Sequence, residues 1–173
     1  TCPDQTGLTF TNVTATGVET SWDDLSGNGS VGYEYAITTS ATPPASGTPT
    51  NATVYVQPTG LTPQTVYYLH VRSECAGSTY GNWATISFTT SCVPVVALPW
   101  TEGFEGLALG NNIFPTCWGY SNTTSVWNIE TTPVANTGAN SLGRTWSTDG
   151  WAFTPTFTLT AGTSYRFSYY MRT

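Results

Sequence analysis

Few residues in this chain could do chemistry. They are a single histidine, His70, four cysteines at Cys2, Cys75, Cys92 and Cys117, and two close carboxylate pairs, Asp23/Asp24 and Glu102/Glu105. A nucleophilic triad needs a base beside the nucleophile and a third group to orient that base. The sequence offers one imidazole, and alternation along Tyr67-Tyr68-Leu69-His70-Val71 turns it onto the outer face of a strand, away from any partner. Paired carboxylates could cleave a glycosidic bond. Asp23 and Asp24 lie next to a Gly/Asn-rich stretch and read as turn residues. No two cysteines form a C-x-x-C motif, so zinc and thiol-redox readings fall away. An even cysteine count in a lysine-free, Thr-rich chain implies two disulfides and an oxidising compartment, with three pairings open.

The elements that must position these residues are strands. Among 173 residues, Thr, Gly, Ser, Asn and Pro are frequent and only 8% are charged. Seven Trp, ten Tyr and seven Phe supply apolar area that a disordered chain lacks. No segment has the Ala/Leu/Glu/Lys richness of a long helix, so the composition predicts an all-β fold. The net charge is −6 and the only cations are Arg72, Arg144, Arg166 and Arg172. Nucleic-acid binding needs a basic stripe, which is absent, and anionic membrane surfaces would repel the chain. No run of eighteen apolar residues occurs, so membrane insertion by a helix is not expected. Thr1-Cys2 reads as a mature or excised start.

Residues 1–91 show repeated alternating runs: Leu8, Phe10 and Val13; Val18 and Trp22; Tyr33, Tyr35 and Ile37; Val54 and Val56; and a last run from Trp83 to Thr90. The stretch Leu61-Thr62-Pro63-Gln64-Thr65-Val66-Tyr67 places a tyrosine just after a Pro-containing turn, where its hydroxyl can reach back and pin the corner between two sheets. With Trp22 and the closing Phe88-Thr89-Thr90, this stretch resembles a fibronectin type III domain. The resemblance implies a seven-strand, two-sheet sandwich. In that topology Cys2 and Cys75 share one end and Cys92 lies at the other, which implies the pairs Cys2–Cys75 and Cys92–Cys117.

Residues 92–173 change pattern to Trp-rich segments separated by Asn/Thr/Gly loops. The order is Phe104-Glu105, then Pro115 to Trp118, then Trp127, then Trp151 to Pro155, then Gly162 and the alternating run Tyr165, Phe167, Tyr169, Met171. This order resembles the cleaved-adhesin or choice-of-anchor J family, a MAM-like β-jelly roll of Bacteroidetes secreted and surface proteins. The resemblance implies a jelly-roll sandwich that is only partial here. It also implies export by the type IX route and a structural calcium held by the glutamate of the Phe-Glu pair. Glu105 with Asp149 or Asn140 are then the candidate ligands, because calcium takes oxygen donors only. The competing role for Glu105 is a hydrogen bond to loop backbone. The loop after Trp118 lacks the Asp-rich stretch of many members.

Trp22, Trp118, Trp127 and Trp151 fall in strand patterns and are expected in cores, whereas Trp100 and Trp146 sit in loop contexts and are candidate ligand contacts. The expected function is a non-catalytic adhesive or ligand-binding part of a larger secreted or cell-surface protein. A fibronectin-like spacer would present a jelly-roll binding module to a glycan or an extracellular protein. The alternatives are an accessory region of an extracellular peptidase or glycoside hydrolase, and a purely structural stalk. The alternating run Tyr165 to Met171 would leave a bare sheet face, so the rest of a larger polypeptide or a partner chain is expected to complete the second sandwich.

Overall fold

The computed structural model describes residues 1–121, 127–131, 135–144 and 150–171. Two compact units divide the chain, Thr1–Val93 and Pro94–Thr173. The boundary falls two residues beyond the 91/92 junction read from the sequence. Both units are built of strands, and their described sheets are antiparallel.

The first unit is a fibronectin type III-like β-sandwich. One sheet has the order β1-β2-β5, with β1 Thr9–Thr11, β2 Val18–Ser21 and β5 Val54–Gln57. The other has β3 (Ser30–Thr38) and β6 (Val66–Cys75) at its centre, β4 (Thr48–Thr50) beside β3, and β7 (Thr79–Tyr80) and β8 (Ala84–Thr89) beside β6. β6 is the hub because Val66, Tyr67, Leu69 and Val71 favour a pleated, half-buried strand. Leu69 and Val71 have no exposed surface, and each contributes about 1.5–3 kcal/mol through burial. Trp22 fills the space between the sheets, edge-on to Tyr33 at 6.2 Å and stacked on Tyr35 at 6.0 Å. The tyrosine corner forms as expected: Thr62 N–H donates to the Tyr67 hydroxyl at 3.0 Å.

In β5 the alternation holds with the valines outward. Val54 and Val56 face outward, and Tyr55 between them packs its ring on Tyr35 at 4.2 Å. Larger apolar area takes the inner position, so the aromatic displaces the two valines. Cys2–Cys75 is a disulfide with Cα atoms 5.7 Å apart, joining the amino-terminal segment to the end of β6. Cys92 and Cys117 are also disulfide-bonded.

In the second unit, β9 (Gly110–Asn111), β11 (Trp127–Thr131) and β12 (Asn140–Arg144) form a sheet of order β12-β11-β9. β10 (Gly119–Ser121) pairs with β13 (Trp151–Phe153). A parallel bridge joins Val95 to Phe157. The core is aromatic rather than aliphatic. Phe114 stacks on Tyr120 at 4.7 Å and meets Trp127 edge-on, and Trp118 meets Phe104 at 5.5 Å. Among the described residues of this unit only Ile129 and Pro155 are buried, so the packed layer is thin. The run from Tyr165 to Met171, expected as a strand, is assigned to none of the sheets among the described residues.

Candidate functional site

The groups singled out by chemistry are mostly consumed by structure. His70 is completely buried, which corrects the expectation of a surface histidine. Alternation does turn it away from Leu69 and Val71. However, the outer face is itself covered there by Tyr68, by Trp83 and by the chain at Thr38 and Ser40. Its Nε2 lies 3.1 Å from the Ser40 carbonyl and 3.1 Å from the Thr38 hydroxyl. A carbonyl can only accept, so Nε2 carries the proton, and Nδ1 accepts from the Thr85 hydroxyl at 2.8 Å. Burial holds the imidazole pKa below its ordinary value.

The carboxylates do turn work. The Asp24 carboxylate accepts from Ser26 N–H and from the Tyr33 hydroxyl, both at 2.9 Å, and Asp23 accepts from the Thr6 hydroxyl at 2.8 Å. Glu102 accepts from Phe104 N–H at 2.6 Å. Beside Asp24 lies a cavity of about 310 Å³ lined by Ser26, Ser30, Val31, Asn51 and Thr53.

Glu105 and Asn140, two of the expected calcium ligands, are brought together. The Glu105 carboxylate accepts from the backbone N–H groups of Ala139 and Asn140, each at 3.0 Å. These bonds hold its pKa below the usual carboxylate value. Gly138, at φ 75°, admits the contact, because a Cβ there would collide with the carboxylate. The Asn140 amide nitrogen donates to the Phe104 carbonyl at 2.9 Å and to the Leu107 carbonyl at 3.3 Å. Phe104, at φ 63°, sits in a conformation that bulky residues avoid, and its peptide is fixed by bonds on both sides. As arranged, Glu105 and Asn140 form a loop clasp, the carboxylate on two backbone N–H groups and the amide on two carbonyls. Among the described residues no cluster of three His, Cys, Asp or Glu could hold one. Asp149 and Trp146 lie outside the described residues.

Trp100 is half-buried, packed edge-on to Phe157 at 5.3 Å and against Trp118 at 6.4 Å, so part of its ring is taken up by the aromatic core. Trp151, expected in a core, is instead 68% exposed. It shares one face of β13 with Phe153, which is 54% exposed. The residues opposite them on β10 are Ser121 and Gly119, which have almost no side chain to cover a ring. Ser121 Oγ accepts from Trp151 N–H at 3.0 Å, and Phe153 leans over Gly119. The result is a two-ring aromatic face bordered by small residues. Strand period alone gave Trp151 a side; it could not show that the facing strand offers only Gly and Ser.

A second feature has no counterpart in the sequence pattern. On the outer face of the β3–β6 sheet, the Arg72 guanidinium lies 4.1 Å from the Tyr80 ring centre and 4.5 Å from that of Trp83. Its Nε and Nη2 donate to one Glu34 oxygen at 2.9 and 2.6 Å. Glu34 is directly opposite Arg72 in the ladder, and that pairing is invisible along a single strand. Gly47 N–H donates to the same carboxylate at 3.3 Å, and the Trp83 ring stands where a Gly47 Cβ would go. The Arg72 and Glu34 side chains are nearly closed to solvent while Tyr80 stays exposed, and the stack reads as structural.

The fold is all-β, with a fibronectin type III-like sandwich as its first unit. Among solved structures the chain is similar to a human KIAA0970 fibronectin type III domain, at 22% identity over 57% of this chain and 82% of that one, TM-score 0.41. It is also similar to a two-domain fibronectin type III segment of chicken tenascin, at 13% identity over 90% and 85%, TM-score 0.39. The family 28 exopolygalacturonase of Yersinia enterocolitica matches at 13% identity over 54% of this chain, TM-score 0.42, and the chain spans about a fifth (21%) of that enzyme. No family model and no curated protein matches the sequence. No helix among the described residues is long and apolar enough to cross a membrane.

Proposed function

We propose that this chain is a non-catalytic, extracellular binding segment whose second unit grips a glycan through the aromatic face of β13. The observation that carries the reading is Trp151, 68% exposed beside Phe153 on a face that Gly119 and Ser121 leave uncovered. Residues two apart on a strand stand about 6.6–6.8 Å apart along it. That spacing lets neighbouring sugar rings lie on successive aromatic faces. Burial of the sugar's C–H surface drives such stacking, and the bordering Ser121 hydroxyl can serve the sugar's own hydroxyls. The first unit then acts as a spacer. Disulfides in a lysine-free chain support an extracellular setting. The proposal includes a Cys92–Cys117 bond and a jelly-roll identity for residues 94–173 of the cleaved-adhesin kind, supported by the ordered Phe104-Glu105, Pro115 to Trp118 and Trp151 to Pro155 segments.

The test is calorimetric titration of the intact chain with a panel of soluble polysaccharides. At least one is expected to bind, with affinity at least tenfold weaker for Trp151→Ala and unchanged for Trp83→Phe in the first unit. Absence of binding across the panel, or a bound glycan indifferent to Trp151→Ala, overturns the reading.

A further inference from the structure

Three side chains of the sheet hold the segment that joins β3 to β4. Residues 39–47 cross the outer face of that sheet, and outside the strand ladders none of them makes a backbone–backbone hydrogen bond among the described residues. His70 Nε2 donates to the Ser40 carbonyl at 3.1 Å, and Arg72 Nη2 donates to the Ala45 carbonyl at 3.3 Å. Gly47 N–H donates to the Glu34 carboxylate at 3.3 Å. Bonds among Thr38, Ser40 and Thr42 are local to the segment. A strand in mid-sheet opens only with its ladder, whereas a cover held by side chains can open alone.

One of the three anchors can titrate. His70 is completely buried under this segment, beside Tyr68 and Trp83. Of titratable or charged groups on this face, β6 brings Tyr68 and Arg72 and β3 brings Glu34, while β8 and residues 39–47 bring none. Arg72 and Glu34 are bonded to each other at 2.6 Å, so neither is left to balance an imidazolium. A proton added at Nδ1 breaks no bond, because the Thr85 hydroxyl can turn from donor to acceptor. Its penalty is a charge held away from water, which agrees with an imidazole pKa below the ordinary value. Lifting the segment brings water to the ring and removes that penalty.

We propose that residues 40–47 are an acid-released strap, kept shut by neutral His70 and lifted when His70 takes up a proton, while both sheets of the first sandwich stay folded. Lifting presents Tyr68, Trp83 and Arg72 to solvent, so the surface that the first unit shows depends on pH. The closed strap refuses the proton and the open one accepts it near pH 6.5. Opening is therefore independent of pH well above that value and rises below it, by at most about tenfold between pH 7.5 and 5.5.

Hydrogen exchange of the intact chain at these two pH values, corrected for the intrinsic effect of pH on exchange, tests this. The Gly47 amide should exchange faster than those of Leu69 and Val71 and be indifferent to dilute urea, as a local opening exposes little surface. Its protection should fall in acid by up to the factor above. His70→Gln offers Ser40 an amide donor that cannot titrate, and the acid effect should vanish. His70 is the only histidine, so its ring protons report the titration without ambiguity. A Cβ on Gly47 would stand 2.6 Å from the Tyr35 carbonyl oxygen and 2.9 Å from the Trp83 ring, so Gly47→Ala props the strap away from His70. The titration midpoint should then rise toward 6.5. Gly47 exchange that matches β6 in rate and urea sensitivity overturns the proposal. So does unchanged protection in acid, an acid effect that survives His70→Gln, or a midpoint unmoved by Gly47→Ala.

Discussion

Replacing Arg72 measures how much of the first sandwich is held from its outer face. The guanidinium is clamped between Tyr80 and Trp83 and bonded twice to Glu34, with side-chain exposures of 15% for Arg72 and 10% for Glu34. Each cation–π contact is worth about 0.5–1 kcal/mol when exposed and ~2 kcal/mol when desolvated, so two at this burial give about 2 kcal/mol. A hydrogen bond to a charged group adds about 1.5–3 kcal/mol, reduced here because Glu34 keeps the Gly47 N–H. Arg72→Ala should therefore cost about 3–4 kcal/mol. Arg72→Met, which keeps the stem between the rings, should cost about 2–3 kcal/mol. Arg72→Lys should cost about 1–2 kcal/mol, because an ammonium keeps the charge but cannot lie flat between two rings. Urea unfolding reports these values, with the slope held constant as a check that only stability changed. A double cycle with Glu34→Gln should return a coupling of about 1–2 kcal/mol. If Arg72→Met lies within about 0.5 kcal/mol of the parent, the stack behaves as an ordinary surface ion pair and the desolvated clamp is refuted.

Acid should loosen the first unit through His70. Its folded pKa lies below the unfolded value of 6.5, so between the two the unfolded chain binds a proton that the folded chain refuses. The stabilising contribution is complete above pH 6.5 and is lost as pH falls from there toward the folded pKa; His70→Gln should flatten the stability-versus-pH curve in that window, and an unchanged curve would refute the assignment. Chelator should leave the second unit's melting temperature unchanged, because Glu105 and Asn140 already bond the loop, whereas Glu105→Ala should lower it. A rise in melting temperature with added calcium would favour the metal reading over the clasp.

What the sequence showed and hid divides along the range of the interaction. The corner at Tyr67, the inward run Tyr67, Leu69, Val71 and the Cys2–Cys75 bond follow from local spacing plus one fibronectin-like topology, and all are present. His70 failed because alternation gives a side but not what covers that side. The covering atoms come from Ser40, Thr85 and Trp83, none adjacent to it in sequence. The alternation of Val54 and Val56 was legible, but not which face of β5 turns inward, because two apolar parities compete in Val-Tyr-Val and only the opposite sheet decides between them. The exposed face of Trp151 was hidden for the same reason. Tryptophan in a strand is usually covered, and here the cross-strand residues are too small to cover it. The Leu-Thr-x-x-Thr-x-Tyr spacing of residues 61–67 recurs at 159–165 and was legible at both places, but it draws attention only once its two hydrogen bonds are seen together.

The two corners also bear on how the units differ. In the first, the strand launched by Tyr67 finds neighbours on both edges and buries Leu69 and Val71, so the corner hydrogen bond stiffens something already packed. In the second, the same corner bond forms at Tyr165, where Thr160 N–H donates to the hydroxyl at 2.8 Å. Each hydroxyl accepts one backbone N–H, so Tyr67→Phe and Tyr165→Phe compare the same device in two units. Tyr67→Phe should lower the stability of the first unit by about 0.5–1.5 kcal/mol in urea unfolding. A midpoint unchanged by Tyr67→Phe would refute a stabilising role for the corner.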